Sequence, residues 1–418
     1  NLADMKYGID PGFRFAVSRS VYKGILKYLA FVHNTGYTVQ PLPVSDFAVT
    51  PLSGRSVRLS WKPVTEDGEP SSVPDRYRIY IRRGDKGFGN GFFAEGTSAD
   101  IELPSLDEIY SFKVTAINDG GESFDSEILS AGISSQGSGH VLVVNGFDRV
   151  SGPLWFDNGN MAGIAWWDDR GVADHHDIIT LGDQYDFSRN NPWTDDDSPG
   201  WGASYSDMEG KIIPGNSFDF PFIHGKAIMD AGYSFFSVSD EYFESPLSDM
   251  SDFKHFDLIF GEERTTQFFN DTSRHCFRIY TPQLMSRLAE LTGSGANIFM
   301  SGSYVGSDLF VPGDSTAIKF ADRILHFRHR TGHAVRTGGV YPTDYAKKLF
   351  SGRFSFNTGY SREIYSAEAP DAIEPSGKSA VCAFRYSESN APAGTIYNGS
   401  YKTVILGFPF ETIVSEGN

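Results

Sequence analysis

Two stretches of this chain follow different hydrophobic rules, and together they exclude a single uniform fold. In VRLSW (57–61), Val57, Leu59 and Trp61 alternate with Arg58 and Ser60. YRIYI and YSFKVTA repeat the alternation through Tyr77, Ile79 and Ile81 and through Tyr110, Phe112, Val114 and Ala116. A period of two, with turn clusters between the runs, describes strands buried on one face, as in a β-sandwich. VLVVNG (141–146) is instead apolar without interruption until its end. Such a strand suits a parallel sheet covered by helices on both faces. The later segments keep that rule. PFIHGKAIMDAGYSFFSVSDEYF reads as helix then strand, and FDLIFGEE as strand. TPQLMSRLAELTGSGANIFMSGSYVG reads as helix, glycine turn, strand and sharp turn, and YKTVILGFPFETI closes the sheet.

At 418 residues the chain exceeds one ordinary core, so two or three domains are expected. The pieces are 1–36, 41–136 and 141–418, with SSQGSGH (134–140) as a short linker and a polar, aromatic insertion spanning 150–215. In the first piece Val17, Val21, Ile25 and Leu29, with Tyr22 and Leu26, recur at helical spacing before the stop signals Asn34 and Gly36. One helix does not bury its own stripe, so this one is expected to pack on another domain, present in this chain or missing from it. A net charge of −17 argues against a nucleic-acid partner and disfavours anionic membrane surfaces. No run of eighteen apolar residues offers a membrane span. Cys276 and Cys382, which can pair or stay free, make neither a disulfide framework nor a CxxC knuckle. A start at Asn1, without Met or signal peptide, reads as a mature or trimmed product.

The pattern of 41–136 resembles a fibronectin type III domain. Trp61 sits where that family keeps the core Trp of its second strand, and Leu106 and Tyr110 match the tyrosine corner. AINDGGES matches the closing Ala-x-Asn-x-x-Gly-x-Ser. The resemblance implies core and turn roles for these residues, in a spacer or binding platform. NLADMKYGIDPGFRFAVSRSVYKGILKYLA resembles the closing segment of the zinc-dependent N-acetylmuramoyl-L-alanine amidase domain of secreted bacterial multidomain proteins. It holds no metal ligand. The resemblance implies zinc only for an amidase domain upstream, with the zinc-binding His and Glu residues and the catalytic Glu outside this chain.

The order of elements in 141–418 resembles the class I glutamine amidotransferase-like superfamily. It implies a flavodoxin-like α/β domain with a mostly parallel sheet. That superfamily carries its nucleophile on a Gly-x-Cys-x-Gly elbow, and a late His-Pro-Glu supplies the base and its orienting carboxylate. Here the motifs read Gly302-Ser303-Tyr304-Val305-Gly306 and Phe408-Pro409-Phe410-Glu411. A phenol with a pKa of roughly 10 and no His at the base position is a poor acyl acceptor. The expectation is an elbow without its nucleophile, although Ser301 or Ser303 can act if a histidine folds in from elsewhere. Four turns should meet beyond the strand ends, at 146–148, 261–263, 301–306 and 407–411. The catalytic candidates they offer are Ser303, Tyr304, Glu262 and Glu411.

Five of six tryptophans lie in the insertion, at Trp155, Trp166, Trp167, Trp193 and Trp201. Residues 155–209 hold twelve Asp or Glu against two Arg and no Lys. Aromatic faces beside carboxylates suit sugar rings, which makes these tryptophans, with Asp168 and Asp169, ligand-binding candidates. The same acids can hold calcium, although Asp195 does not begin an EF-hand loop because its twelfth position is Ser206. A third reading is a folded cap whose tryptophans are its own small core. His175, His176 and Asp177 form a compact metal candidate, and His326 and His329 lie three apart on a stretch read as helix; no HExxH is present.

These features point to a secreted bacterial protein, periplasmic or at the cell surface. Its partners would be peptidoglycan or another polysaccharide and an upstream amidase domain, with this chain a non-catalytic targeting region. The alternative is a polysaccharide hydrolase or lyase; bacterial proteins of this architecture are sometimes labelled xanthan lyases. A lyase needs a Tyr or His base beside a neutralised uronate, and Tyr304 is the elbow residue that could be so cast.

Overall fold

A computed structural model of the chain describes residues 2–179, 182–195, 197–268, 271–310, 315–350 and 352–416. The alternating runs form the expected sandwich. Strands Ser45–Pro51, Ser56–Lys62 and Ser98–Glu102 pair on one sheet. Arg76–Arg83, Ile109–Asn118, Phe92–Ala94 and Leu129–Gly132 pair on the other. Val57, Leu59, Trp61, Ile79, Phe112 and Val114 are buried between them, and the Trp61 and Tyr77 rings meet edge-on at 5.3 Å. AINDGGES works as a clasp: the Asn118 amide donates to three carbonyls, Val39 O at 2.9 Å among them, and Ser123 Oγ accepts from Ala116 N. Gly121 takes φ +132°, open to glycine. Leu106 is largely exposed and not part of the core, while the Tyr110 hydroxyl closes the corner on Ser105 Oγ at 2.8 Å.

The continuous apolar runs form five parallel strands: β1 (His140–Asn145), β2 (Ser234–Ser239), β3 (His255–Ile259), β4 (Asn297–Ser301) and β5 (Lys402–Leu406). Their spatial order is β2-β1-β3-β4-β5. Helix Phe220–Asp230 precedes β2. Helix Pro282–Gly293 precedes β4, capped by Thr281 Oγ1 on Leu284 N at 3.0 Å and burying Leu284, Met285 and Leu288. Beyond β5 the sheet continues antiparallel through Pro392–Asn398, Ala380–Tyr386, Gly339–Pro342, Phe354–Phe356 and Ile413–Glu416. The sheet is therefore large and mixed, which corrects the expectation of a mostly parallel one. Four of these strands come from the long connection between β4 and β5, and Ile413–Glu416 follows β5.

One further expectation is corrected. The 134–140 stretch is no free tether, because Ser134 N donates to Ser234 Oγ and Gly139 O accepts from Ser234 N, both at 3.0 Å. Gly132 and Ala48 also pair with Phe235 and Val238 of β2, and one apolar core runs from Trp61 and Phe112 to Leu142 and Met300. The helix Pro11–His33 forms, with Asp10 capping Phe13 N at 2.8 Å, but it buries no residue. Arg19–Glu66, Lys27–Glu69 and Arg14–Asp177 ion pairs hold its polar face, while Val17, Val21, Ile25 and Leu29 stay exposed.

Candidate functional site

The sharp turn after β4 is held by its neighbours. Ser303 N donates to Gly261 O at 2.7 Å, so this turn sits on the one that follows β3. A Cβ on Gly306 would lie 2.8 Å from His329 Cδ2, which explains the glycine there. Tyr304 is not among the residues with positive φ, so the turn stores no left-handed strain at its tip. Its ring is buried, with the Arg264 and Arg149 guanidinium carbons 5.0 and 6.0 Å from the centroid. Burial pushes the phenol well above its usual pKa; Asp169 and Glu262 add to the rise, and the two arginines oppose it. The Ser301 and Ser303 hydroxyls are buried without a hydrogen-bond partner among the described residues.

The arginines explain how the insertion is attached. Arg149, fully buried, pairs with Asp169 and donates to Ser151 Oγ at 2.9 Å and to Glu262 O at 3.1 Å. Arg264 donates to Asp168 O and Oδ2, both at 3.2 Å, and His333 also reaches Asp168. The His333 contact, against burial and helped by Arg264, lowers the Asp168 carboxyl to about 2. Asp168 and Asp169 are thus engaged in ion pairs that clamp the insertion over the turn.

A histidine does enter this region, but not beside the serines. His224, on helix Phe220–Asp230, lies between Asp257 of β3 (Nδ1 to Oδ2, 2.8 Å) and Glu411 (Nε2 to Oε2, 3.3 Å). Glu411 in turn accepts from the Tyr365 hydroxyl at 2.6 Å. Burial would lower the imidazole pKa, but Asp257 and Glu411 outweigh it and raise it to about 9. Sequence reasoning passed over His224, which belongs to no motif. Asp257 did carry a signal, as a lone acid inside an apolar strand.

A cleft of about 950 Å³ opens between the insertion, the start of helix Pro11–His33 and the mixed sheet. Trp166, Trp167, Arg170, Glu262, Tyr365 and Glu368 are among its lining residues, with Arg170 and Glu368 ion-paired at 3.3 Å. Burial drives the Glu262 carboxyl well above its usual pKa, with the Glu368 charge adding to the rise. Glu368 is raised by confinement as well, against the pull of Arg170 at 3.3 Å. Of Tyr304, Glu262 and Glu411, Glu262 alone lines the cleft. Glu411 stands behind Tyr365, and Tyr304 lies under the clamped insertion.

The tryptophans divide in the same way. Trp167 is half exposed in the cleft, with its ring edge-on to Phe187 at 5.5 Å, and Trp166 ties its indole N–H to Gln184 O at 3.0 Å. Trp155, Trp193 and Trp201 do not line the cleft. Trp201 donates to Ala162 O at 2.8 Å inside the insertion, and Trp155 pairs with Ile164 in a two-stranded ladder. The insertion is both cap and cleft wall. His175 turns to Asp174 at 2.6 Å, His176 lies on a short exposed strand, and Asp177 binds Arg14, so the three do not face one point. His326 ends a helical turn at φ +60° and His329 lies on strand Phe327–Thr331, which corrects the helix reading. Among the described residues the insertion supplies no set of three metal-ligating groups; Asp196 falls outside them. Cys276 and Cys382 are both free.

Residues 42–131 match the sequence profile of the fibronectin type III domain. They are a fibronectin type III domain. Similar solved structures include the Caenorhabditis elegans twitchin kinase region, at 26% identity over 21% of this chain and 16% of that one, with a TM-score of 0.20. Others are a human fourth FNIII domain (20%, covering 24% and 83%, TM-score 0.21) and the FN5 domain of Drosophila Lar (23%, covering 22% and 92%, TM-score 0.17). No curated protein matches the chain in sequence. No residue of the fibronectin type III domain lines the cleft.

Proposed function

We propose that this chain is the non-catalytic targeting and scaffolding region of a secreted bacterial cell-wall amidase, and that it takes up glycan in the cleft. The observation that carries the reading is the half-exposed Trp167 beside Trp166, in a cleft that Glu262 and Glu368 also line and that is large enough for several sugar rings. Aromatic faces take the C–H side of a pyranose, and carboxylates accept from its hydroxyls. The strand order β2-β1-β3-β4-β5 is that of flavodoxin-like sheets, which supports an amidotransferase-like ancestry. The buried Tyr304, whose hydroxyl has no histidine hydrogen-bonded to it among the described residues, supports the loss of acyl-transfer chemistry from it. The uncovered stripe of Val17, Val21, Ile25 and Leu29 supports an amidase domain packed upstream.

Co-sedimentation with peptidoglycan sacculi and with acidic polysaccharides tests this reading. Wild type is retained, and Trp167→Ala lowers the affinity by about tenfold, the effect of losing roughly 1.4 kcal/mol of stacking. Equal retention of the variant removes the cleft from the account.

One observation favours a second reading. Glu262 and Glu368 both face the cleft with raised pKa values, so one can stay protonated at neutral pH while the other is ionised. Such a pair can serve a polysaccharide hydrolase or lyase. That reading requires new reducing ends or unsaturated uronates to appear on incubation, and to vanish in Glu262→Gln.

A further inference from the structure

Away from the cleft, at the β1–β2 edge of the strand ends, a second group of acids gathers. Ligand oxygens of Asp148, Asp240 and Glu241 all lie within 4.8 Å of one another. Asp148 follows β1, and Asp240 and Glu241 follow β2, whose last residue Ser239 is in register with Asn145, the last of β1. Glu263 fixes the loop by accepting from Asp148 N at 3.2 Å and Arg149 N at 3.0 Å, while the Arg149 guanidinium is committed to Asp169. No cation of the described residues is ion-paired to the three acids.

Asn145 supplies an independent observation. Its Nδ2 donates to Glu127 Oε2 at 2.6 Å, which fixes the orientation of the amide. Its Oδ1 is then left buried without any donor, in a residue 1% exposed at the same strand edge. Asn145 is in register with Ser239, which Asp240 and Glu241 directly follow, so its unpartnered amide oxygen adds a further hard oxygen donor at the strand end that carries the acids. We propose that Asp148, Asp240 and Glu241, completed by the Asn145 amide oxygen, bind one divalent cation of the calcium class. Oxygen donors without His or Cys select a hard ion, and a partly open site of flexible carboxylates suits calcium better than magnesium. Glu127, held by the same amide, belongs to the segment that leads out of the fibronectin type III domain. The ion would therefore tie that domain to the strand ends of its neighbour.

The test is calorimetric titration of the full chain, stripped with chelator, with calcium and separately with magnesium, alongside thermal melts. One calcium ion per chain is expected, with a melting midpoint that rises with calcium and a weaker magnesium response. Asp148→Asn and Glu241→Gln each weaken calcium binding by at least about tenfold. Glu241 is exposed, so its variant keeps the fold, and Asp148→Asn melts higher than wild type without calcium because repulsion is relieved. No calcium uptake by wild type, uptake unchanged in both variants, or a magnesium response as strong as that to calcium overturns the proposal.

Discussion

The fibronectin type III domain and the cleft side of the molecule are held together by different kinds of contact. In the first, each core residue lies two positions from the next along a strand, and Trp61, Phe112 and Val114 meet across a sandwich set by that alternation. In the second, the decisive contacts are polar and distant in sequence: His224 with Glu411, Arg149 with Glu262, Arg264 with Asp168. Apolar burial leaves a periodic trace because it depends on which face a residue shares. A buried ion pair leaves none, because either partner could equally be a solvated surface residue.

Mutations can break that contrast. Arg149→Ala removes the guanidinium bonded to Asp169 and leaves that buried carboxylate only Arg264 at 3.6 Å, and should cost about 3 kcal/mol in a urea titration, the low end of the usual loss when one partner of a buried pair is removed. Phe112→Ala should cost a similar ~3–5 kcal/mol by cavity formation in the sandwich. Because one apolar core crosses the junction, both variants should shift a single transition. Two separate transitions would show that the halves are independent.

A smaller effect depends on pH. The His224 pKa is raised from 6.5 to about 9, so its contribution is complete below the unfolded value and is lost as pH rises through about 9. That contribution is about 3 kcal/mol for a fully buried group. Wild type should weaken between pH 6.5 and 9, and His224→Gln should flatten the profile over that window. A wild-type profile already flat there would mean that Asp257 and Glu411 do not hold a proton on the imidazole. Smallest of all, Arg58→Ala, which breaks an exposed pair with Asp100, should leave the midpoint unchanged.

In the sandwich the strands through Val57–Trp61, Tyr77–Ile81 and Tyr110–Ala116 were legible from their alternation, and Trp61, Tyr110 and AINDGGES from local motifs, whereas Ser45–Pro51, Phe92–Ala94, Ser98–Glu102 and Leu129–Gly132 were not read. The five parallel strands and the helices before β2 and β4 were legible from their apolar runs and caps. The antiparallel extension was not: Gly339–Pro342 and Phe354–Phe356 are only four and three residues long, and Ala380–Tyr386 and Pro392–Asn398, though longer, belong to no alternation of helix with strand. At the site, Trp166, Trp167 and Glu262 were identified as candidates and share the cleft, whereas Tyr365 and Glu368 carried no signal in the sequence. Asp168 and Asp169 were singled out for their charge, and the arginines that engage them were invisible because they lie more than fifteen residues away or beyond β3.

Binding without turnover is the centre of this account, and one experiment reaches it directly. The intact chain is incubated with peptidoglycan and with acidic polysaccharides while bound protein, new reducing ends and unsaturated uronates are followed together. The account predicts retention that depends on Trp167 and no release of product. Release that disappears in Glu262→Gln would contradict it and make the cleft an active site.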